Sequence, residues 1–305
     1  MDYLCAKDVS LQDTCVTIGK FDGVHLGHRL LLEKLSVEKQ RAGGKSVVFT
    51  FDFHPGMFFG SSGKLIYTQE EKKEILAGCG VDVLVAYPFT ELTSAVEAED
   101  FIADILIGQL GAKFIAVGED NRFGHNRRGD ARMLKGFQKD FGYGLAVCER
   151  VKYAGEAISS TRIREQIIAG NMEEAAQMLG SRYHVAGEVG RGRGLGGTLG
   201  FPTINLIPPQ EKLLPPNGVY MTRTTLPDGV FFGVTNVGLR PTVGVQDKPW
   251  VETCLLNYRG DCYGKPVKTE FFHFEREERR FLDVSLLREQ VLRDMESCRA
   301  YFAAV

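Results

Sequence analysis

Two histidines three residues apart, in Phe21-Asp22-Gly23-Val24-His25-Leu26-Gly27-His28, stand where a short apolar run gives way to a helical pattern. Imidazoles beside a helix N-terminus form an electropositive cradle, because the free N–H groups and the helix dipole add to the ring donors. Such a cradle suits transfer of an adenylyl group from ATP. In-line attack on the α-phosphorus needs positioning and charge neutralisation, and no covalent nucleophile. Gly19, Phe21, Asp22 and Gly23, in the turn just before, are expected to contact the ATP, and Gly27 removes a side chain that would block its approach. The bland alternative is two surface histidines or half a zinc site, for which His54 and His125 are the further candidates in this half of the chain.

A second helix opens at Ile158-Ser159-Ser160-Thr161-Arg162-Ile163-Arg164, with three hydroxyls followed by two arginines. Alone, this is an N-cap with solvated arginines. In one domain with His25 and His28, the hydroxyls of Ser159, Ser160 and Thr161 and the guanidinium of Arg164 would hold the outer phosphates and the departing pyrophosphate. Phe123, in Val117-Gly118-Glu119-Asp120-Asn121-Arg122-Phe123-Gly124, and Phe51 and Phe53 follow apolar runs, where an aromatic ring can stack on a flat substrate. Each of them taken singly is an ordinary core residue.

Gly192, Gly194 and Gly197 spell G-x-G-x-x-G, yet Phe201-Pro202-Thr203 and a β-like run follow where a dinucleotide fingerprint requires a helix. These glycines read as a flap of backbone amides over phosphates. Thr203 and Asn205 alternate on one strand face and offer two neutral oxygens for Mg2+ and phosphate, against a reading as ordinary outward polar positions. Glu252 lies in Trp250-Val251-Glu252-Thr253, where a lone carboxylate is costly without a partner or a task such as general base.

The elements that must position these residues fall into two groups. Residues 15–19, 46–51, 81–86 and 114–118 read as buried strands, alternating with helical patterns at 28–40, 69–79 and 99–110. That alternation implies βαβ units and a doubly wound parallel sheet, with ligands outside the carboxyl ends of the strands. A helical stretch over 160–179, broken at Gly170-Asn171, ends this half. Beyond Arg182 six short alternating runs, at 184–189, 202–206, 219–225, 230–237, 251–258 and 267–274, suggest a small barrel. A last helix over 285–302 should pack on it through Leu286, Leu287, Val291, Met295 and Phe302.

Composition bounds the function. The 305 residues allow two domains, expected at 1–182 and 183–305, and a net charge of -2 with 25% charged residues gives no basic excess for nucleic acid or anionic lipid. Seven scattered cysteines without a CxxC pair fit reduced thiols in a cytoplasm. No export signal and no membrane-length apolar window is present, and no obligate protein partner is evident.

Taken in order, Phe21 to His28, Ile158 to Arg164, Leu199-Gly200-Phe201-Pro202-Thr203-Ile204-Asn205, Asn217-Gly218-Val219-Tyr220, Gly238-Leu239-Arg240-Pro241-Thr242 and Val251-Glu252-Thr253 closely resemble the bifunctional bacterial riboflavin kinase/FAD synthetase family. The resemblance implies a Rossmann-like nucleotidyltransferase domain that adenylylates FMN to FAD, followed by a six-stranded β-barrel that phosphorylates riboflavin. Its substrates would be riboflavin, FMN and ATP, with Mg2+ accompanying the ATP. Under this resemblance His25 and His28 act on the transferring phosphate, Asp120 and Phe123 contact nucleotide or flavin, and Glu252 is the base for the riboflavin hydroxyl. Gly192, Gly194, Thr203 and Asn205 hold the kinase's Mg-ATP, and Arg240, Pro241 and Thr242 its flavin. The chain departs from the family pattern at Lys20 (usually Asn), Asn121 (usually Phe), Ile204 (usually Ala) and Gly197 (commonly basic). Two rival readings are a chain with one active half, and a flavin-binding protein without turnover.

Overall fold

The fold is that of a computed structural model describing residues 1–52, 63–190, 203–242 and 245–304, with 239–242 and 245–248 described by backbone alone. The chain forms two compact units, one of residues 1–63 and 68–160, the other of 64–67 and 161–305.

The first unit is built on six parallel strands: β1 (Asp2–Leu4), β2 (Thr14–Ile18), β3 (Lys45–Phe51), β4 (Val83–Tyr87), β5 (Ala112–Gly118) and β6 (Gly144–Cys148). Their order is β1-β4-β3-β2-β5-β6, every neighbouring pair parallel. β2 and β4 are buried along their whole length, as strands covered on both faces must be. One face, with Val16, Ile18, Val85, Ile115 and Val117, packs on Ile102, Leu106 and Leu134. On the other, Val48 and Leu84 meet Leu32 and Leu76, and Cys15 and Ala116 meet Leu35. The doubly wound sheet expected from the alternation is therefore present, with β1 and β6 as edge strands that the sequence reading did not include. β1 has only three residues, and β6 carries a half-exposed pattern rather than an apolar run.

Three helices of this unit follow local rules. α1 (Leu26–Ala42) starts directly after His25, and α2 (Gln69–Gly78) opens on a capping box. There the Glu71 N–H donates to the Thr68 hydroxyl, and the Thr68 N–H donates to the Glu71 carboxylate. α3 (Ala131–Phe141) is capped by Asp130, whose carboxylate accepts from the Arg132 and Met133 amides. The helix expected over 99–110 widens instead into a π-helix at Phe101–Gln109, and the Leu110 N–H bonds the Ile105 carbonyl at 2.9 Å. A small hairpin, β7 (Lys152–Tyr153) with β8 (Glu156–Ala157), precedes Ser160.

The second unit takes up the chain at Thr161, within α4 (Ser160–Ile168), and continues with α5 (Met172–Leu179), the pair expected to break at Gly170-Asn171. The compact units divide after Ser160; the boundary expected at residue 182 is one between two activities. α5 is held to the strands that follow, with His273 Nδ1 2.8 Å from Glu173 Oε1. Those strands are β9 (His184–Glu188), β10 (Thr203–Leu206), β11 (Gly218–Leu226), β12 (Gly229–Thr242), β13 (Val245–Leu255) and β14 (Pro266–Arg276). All pairings are antiparallel in the order β10-β13-β12-β11-β14-β9. The two edges meet where the Gly190 N–H donates to the Asn205 carbonyl at 2.8 Å, so the six expected strands curl into a barrel. Lys212, 1% exposed, donates to the carbonyls of Ile66 (2.8 Å) and His184 (2.9 Å), which holds residues 64–67 in this unit.

α6 (Val284–Ala304) packs on the barrel largely through the face expected, with Met295 and Phe302 in the contact and Leu287 and Val291 half-buried. Leu286 is 43% exposed, and the buried contacts come from Asp294 and Cys298, with Met295, Tyr301 and Phe302 beside them. The hydropathy pattern ranks an aspartate as solvent-facing. Here Asp294 takes both ends of the Arg276 guanidinium at 2.6 and 3.0 Å, and the paired charge becomes buriable.

Candidate functional site

The order of the parallel sheet reverses between β2 and β5, so a crevice opens at their carboxyl ends. Residues 19–25 follow β2 at that crevice and lead into α1. Two non-glycine residues in this loop have left-handed backbone, Phe21 at φ 51° and Val24 at φ 41°, each costing on the order of 1–3 kcal/mol. Both side chains are 0% exposed and sit among Leu32, Val48, Leu76 and Leu84, and that packing holds the strained loop in place.

His25 is the N-cap residue of α1 without capping it through its side chain. Its ring stacks on His28 with centroids 3.8 Å apart, and His28 in turn lies 4.6 Å from the Phe21 ring. A Cβ on Gly27 would come within 3.1 Å of the His25 ring, so the glycine is needed for the histidine's own position. Burial pushes His25 down to about 4, with Asp120 opposing the shift. His28 falls well below the usual range through burial, then the neighbouring His25 and Lys72. Both rings are therefore neutral at pH 7. Among the described residues neither Nδ1, sealed from solvent, has a hydrogen-bond partner.

Other predicted residues have the following contacts. The Ser160 hydroxyl donates to the Asp22 carbonyl at 2.8 Å, tying the start of α4 to the loop. Asp120 pairs with Arg150 at 2.7 Å. Asn121 follows β5, and its Nδ2 donates to the Ile18 carbonyl of β2 at 3.0 Å, bridging the mouth of the crevice. Ser159 precedes α4, and Thr161 and Arg164 lie on its first turns, where the Arg164 Nε donates to the Lys64 carbonyl at 3.1 Å. The zinc alternative has no support among the described residues: His125 pairs with Glu97 at 3.0 Å, no group of three metal-ligating side chains forms, and His54 lies outside them.

Beside the loop lies a cavity of about 660 Å³. Its walls include Phe49, Phe51, Phe89, Phe101 and Phe123, linked edge to face or tilted at 4.8–5.9 Å. Lys20, Arg122 and Arg127 stand in its lining as well. An apolar aromatic slot with cations in its lining fits a flat heteroaromatic ring carrying an anionic tail. Phe123 is 8% exposed, so it serves both the core and this wall, while Phe53 lies outside the described residues.

In the barrel, Thr203, Asn205 and Glu252 share one sheet face. Asn205 pairs directly with Glu252 across β10 and β13, and the Thr203 hydroxyl donates to Glu252 Oε1 at 2.6 Å. Asn205 is 2% exposed, and its Oδ1 has no hydrogen-bond partner among the described residues. The lone carboxylate of the sequence reading thus has a partner. Gly192, Gly194 and Gly197 lie outside the described residues. The backbone of β12 carries Arg240, Pro241 and Thr242, with Arg240 opposite Lys248.

Residues 7–162 match the family model for FAD synthetase, and residues 179–302 match that for riboflavin kinase. The chain belongs to the bifunctional riboflavin kinase/FMN adenylyltransferase family. A family relative of that name from Escherichia coli K12 is 35% identical over 95% of this chain and 94% of its own length. One from Haemophilus influenzae is 33% identical over 96% of this chain and 95% of its own. Among solved structures, a macrolide-efflux protein from Streptococcus pneumoniae superposes with a TM-score of 0.85 at 27% identity, covering 98% of this chain and 99% of its own. No helix among the described residues is long and apolar enough to cross a membrane.

Within this family frame, two residues that sequence reasoning missed adjoin the sites. Asn236 of β12 faces Glu252 from the strand opposite Asn205, and its Nδ2 donates to Glu278 at 3.0 Å. No sequence signal marks it, because only the strand register brings it to Glu252. Lys72 of α2 is 7% exposed, and its Nζ lies 3.5 Å from the Lys20 carbonyl. It had a legible signal, a lysine on the stripe of Ile75, Leu76 and Cys79 where an apolar side chain belongs.

Proposed function

We propose that this chain makes FAD in two steps, phosphorylating riboflavin to FMN with ATP in the barrel and joining FMN to AMP, with release of pyrophosphate, at the crevice of the parallel sheet. The reading is supported by two polar side-chain groupings of different build on one chain: a neutral histidine pair at a helix N-terminus, and a threonine–glutamate pair on a barrel face. The first suits a reaction that needs donors aimed at phosphate oxygens and no base to activate a nucleophile that is already an anion. The second suits a reaction whose nucleophile is an alcohol and must lose a proton.

At the crevice, Nε2 of His25 and His28 would stabilise charge on the transferring α-phosphate. Gly19, Phe21, Asp22 and Gly23 would surround the ATP, and Ser159, Ser160, Thr161 and Arg164 would hold its outer phosphates. The aromatic slot would take the isoalloxazine ring of FMN, with Asp120 and Phe123 at its edge. In the barrel, Glu252 would accept the proton of the riboflavin 5'-hydroxyl. Asn205 Oδ1, a buried acceptor with no partner among the described residues, and the Thr203 hydroxyl are hard neutral oxygens that fit Mg2+. Bound with ATP, Mg2+ would neutralise phosphate charge there. Gly192 and Gly194 would cover the phosphates, and Arg240, Pro241 and Thr242 would border the flavin. We assign residues 1–182 to adenylyl transfer and 183–305 to the kinase. We place the enzyme in the cytoplasm, where ATP is abundant and its unpaired cysteines stay reduced.

The test is to incubate the protein with riboflavin, ATP and Mg2+ and to resolve the flavins by chromatography over time. FAD appearing through FMN is the expected course. FMN accumulating without FAD would remove the adenylyltransferase half, and unchanged riboflavin would remove the catalytic reading.

A further inference from the structure

Lys72 is a charge in an unfavourable place. It lies in α2, is 7% exposed, and shares its stripe with Leu76, which is 0% exposed. An ammonium offers three donors, and among the described residues this one has a single long contact, 3.5 Å to the Lys20 carbonyl. That carbonyl is already served by the Thr50 hydroxyl at 3.2 Å. The neighbouring buried carboxylate, Glu71, is engaged in the capping box with Thr68. A buried cation so poorly hydrogen-bonded is costly unless an anion completes it.

The surroundings of the charge indicate which anion. Lys20 belongs to the loop after β2, Asp22 of the same loop attracts the ammonium, and its positive charge is felt at His28. Every group that Lys72 addresses is therefore part of the strained loop and histidine pair at the crevice. We propose that Lys72 is a phosphate-binding residue of the adenylyl-transfer site, its ammonium taking an oxygen of the ATP triphosphate as a third cationic or donor group beside His25 and His28. The inference rests on the adenylyltransferase reading of this crevice. A compact point charge on a flexible stem suits phosphate without demanding fixed geometry, and because both imidazoles are neutral, Lys72 supplies full positive charge that they do not.

The experiment uses the whole chain and the variants Lys72→Met and Lys72→Arg. It measures KM for ATP and for FMN in FAD synthesis, inhibition of that reaction by added pyrophosphate, and riboflavin phosphorylation as the readout of the other half. Lys72→Met is expected to raise both the KM for ATP and the pyrophosphate inhibition constant about ten- to a hundredfold, the range of a charge-assisted hydrogen bond. The KM for FMN and the rate of riboflavin phosphorylation should stay within about twofold of wild type, and Lys72→Arg should recover most of the ATP and pyrophosphate affinity. Unchanged values for both ATP and pyrophosphate in Lys72→Met would overturn the inference. So would equal losses for ATP and FMN that arginine does not repair, which is the signature of a distorted loop. Wild-type protein that makes no FAD would overturn the adenylyltransferase reading itself, a different result from normal FAD synthesis with an indifferent Lys72→Met.

Discussion

Replacing Lys72 with methionine should make the protein more stable while weakening FAD synthesis, because the native site carries a buried charge for the sake of its ligand. The magnitude follows from the lysine's protonation. Burial lowers Lys72 from 10.5 to about 8, even with Asp22 pulling the other way. That displacement of roughly 2.5 pH units, at 1.36 kcal/mol each, is about 3 kcal/mol by which the folded state disfavours the charged form. Below pH 8 the lysine is protonated in both folded and unfolded chains, and the full cost is present. Between about pH 8 and 10.5 the unfolded chain binds the extra proton, so wild-type stability gains on the variant as pH rises. Above 10.5 both forms are neutral and the difference vanishes. Calorimetric melting of the ligand-free protein should therefore show the transition of the N-terminal unit about 6–12 °C higher in Lys72→Met at pH 7, with the gap closing by pH 10.5. A variant that melts lower than wild type at pH 7, or whose advantage does not change with pH, would refute the assignment of an unsatisfied buried charge.

The remaining expectations concern the two chemistries and the acid limb. Glu252→Gln should lower riboflavin phosphorylation by about 10²- to 10⁴-fold, the scale of general-base catalysis, and leave FAD synthesis from supplied FMN unchanged in a chromatographic assay. His28→Ala should stop the pathway at FMN, with FAD formation down by about 10²-fold or more and phosphorylation intact. His25 is held near 4 by burial, so the unfolded chain binds the extra proton below pH 6.5. About 3 kcal/mol of stability, complete above pH 6.5, is lost as pH falls toward 4, and His25→Asn should flatten that slope in melts at pH 7.5 and 4.5.

Much of the architecture was legible because it depends on local pattern. Buried parallel strands read as unbroken apolar runs, and the six barrel strands announce themselves by alternation between turn residues, so both sheets follow from the chain alone. The histidine loop was legible too, as it lies within eight consecutive residues. Where local pattern is weak, the reading fell short. β1 pairs through only three residues, β6 is half exposed, and the helix over 99–110 widens into a π-helix although its apolar spacing is helical. On α6 the hydropathy pattern marks Met295 and Phe302 but not the buried Asp294, which is made buriable by Arg276, a residue on another element.

The sequence by itself determined which residue types could act on phosphate and in what order they occur, because chemistry resides in side chains and strands and helices follow from short-range periodicity. Tertiary structure decided which of them meet. Strand register set Glu252 against Thr203 and Asn205 and added Asn236, 16 positions away from Glu252 and joined to it only by β-pairing. Packing of α2 behind the loop placed Lys72 at the histidine pair, 44 residues from His28, and made both rings neutral by burial. Distance along the chain carries no information about such neighbours, and desolvation exists only once the surrounding elements have closed around them.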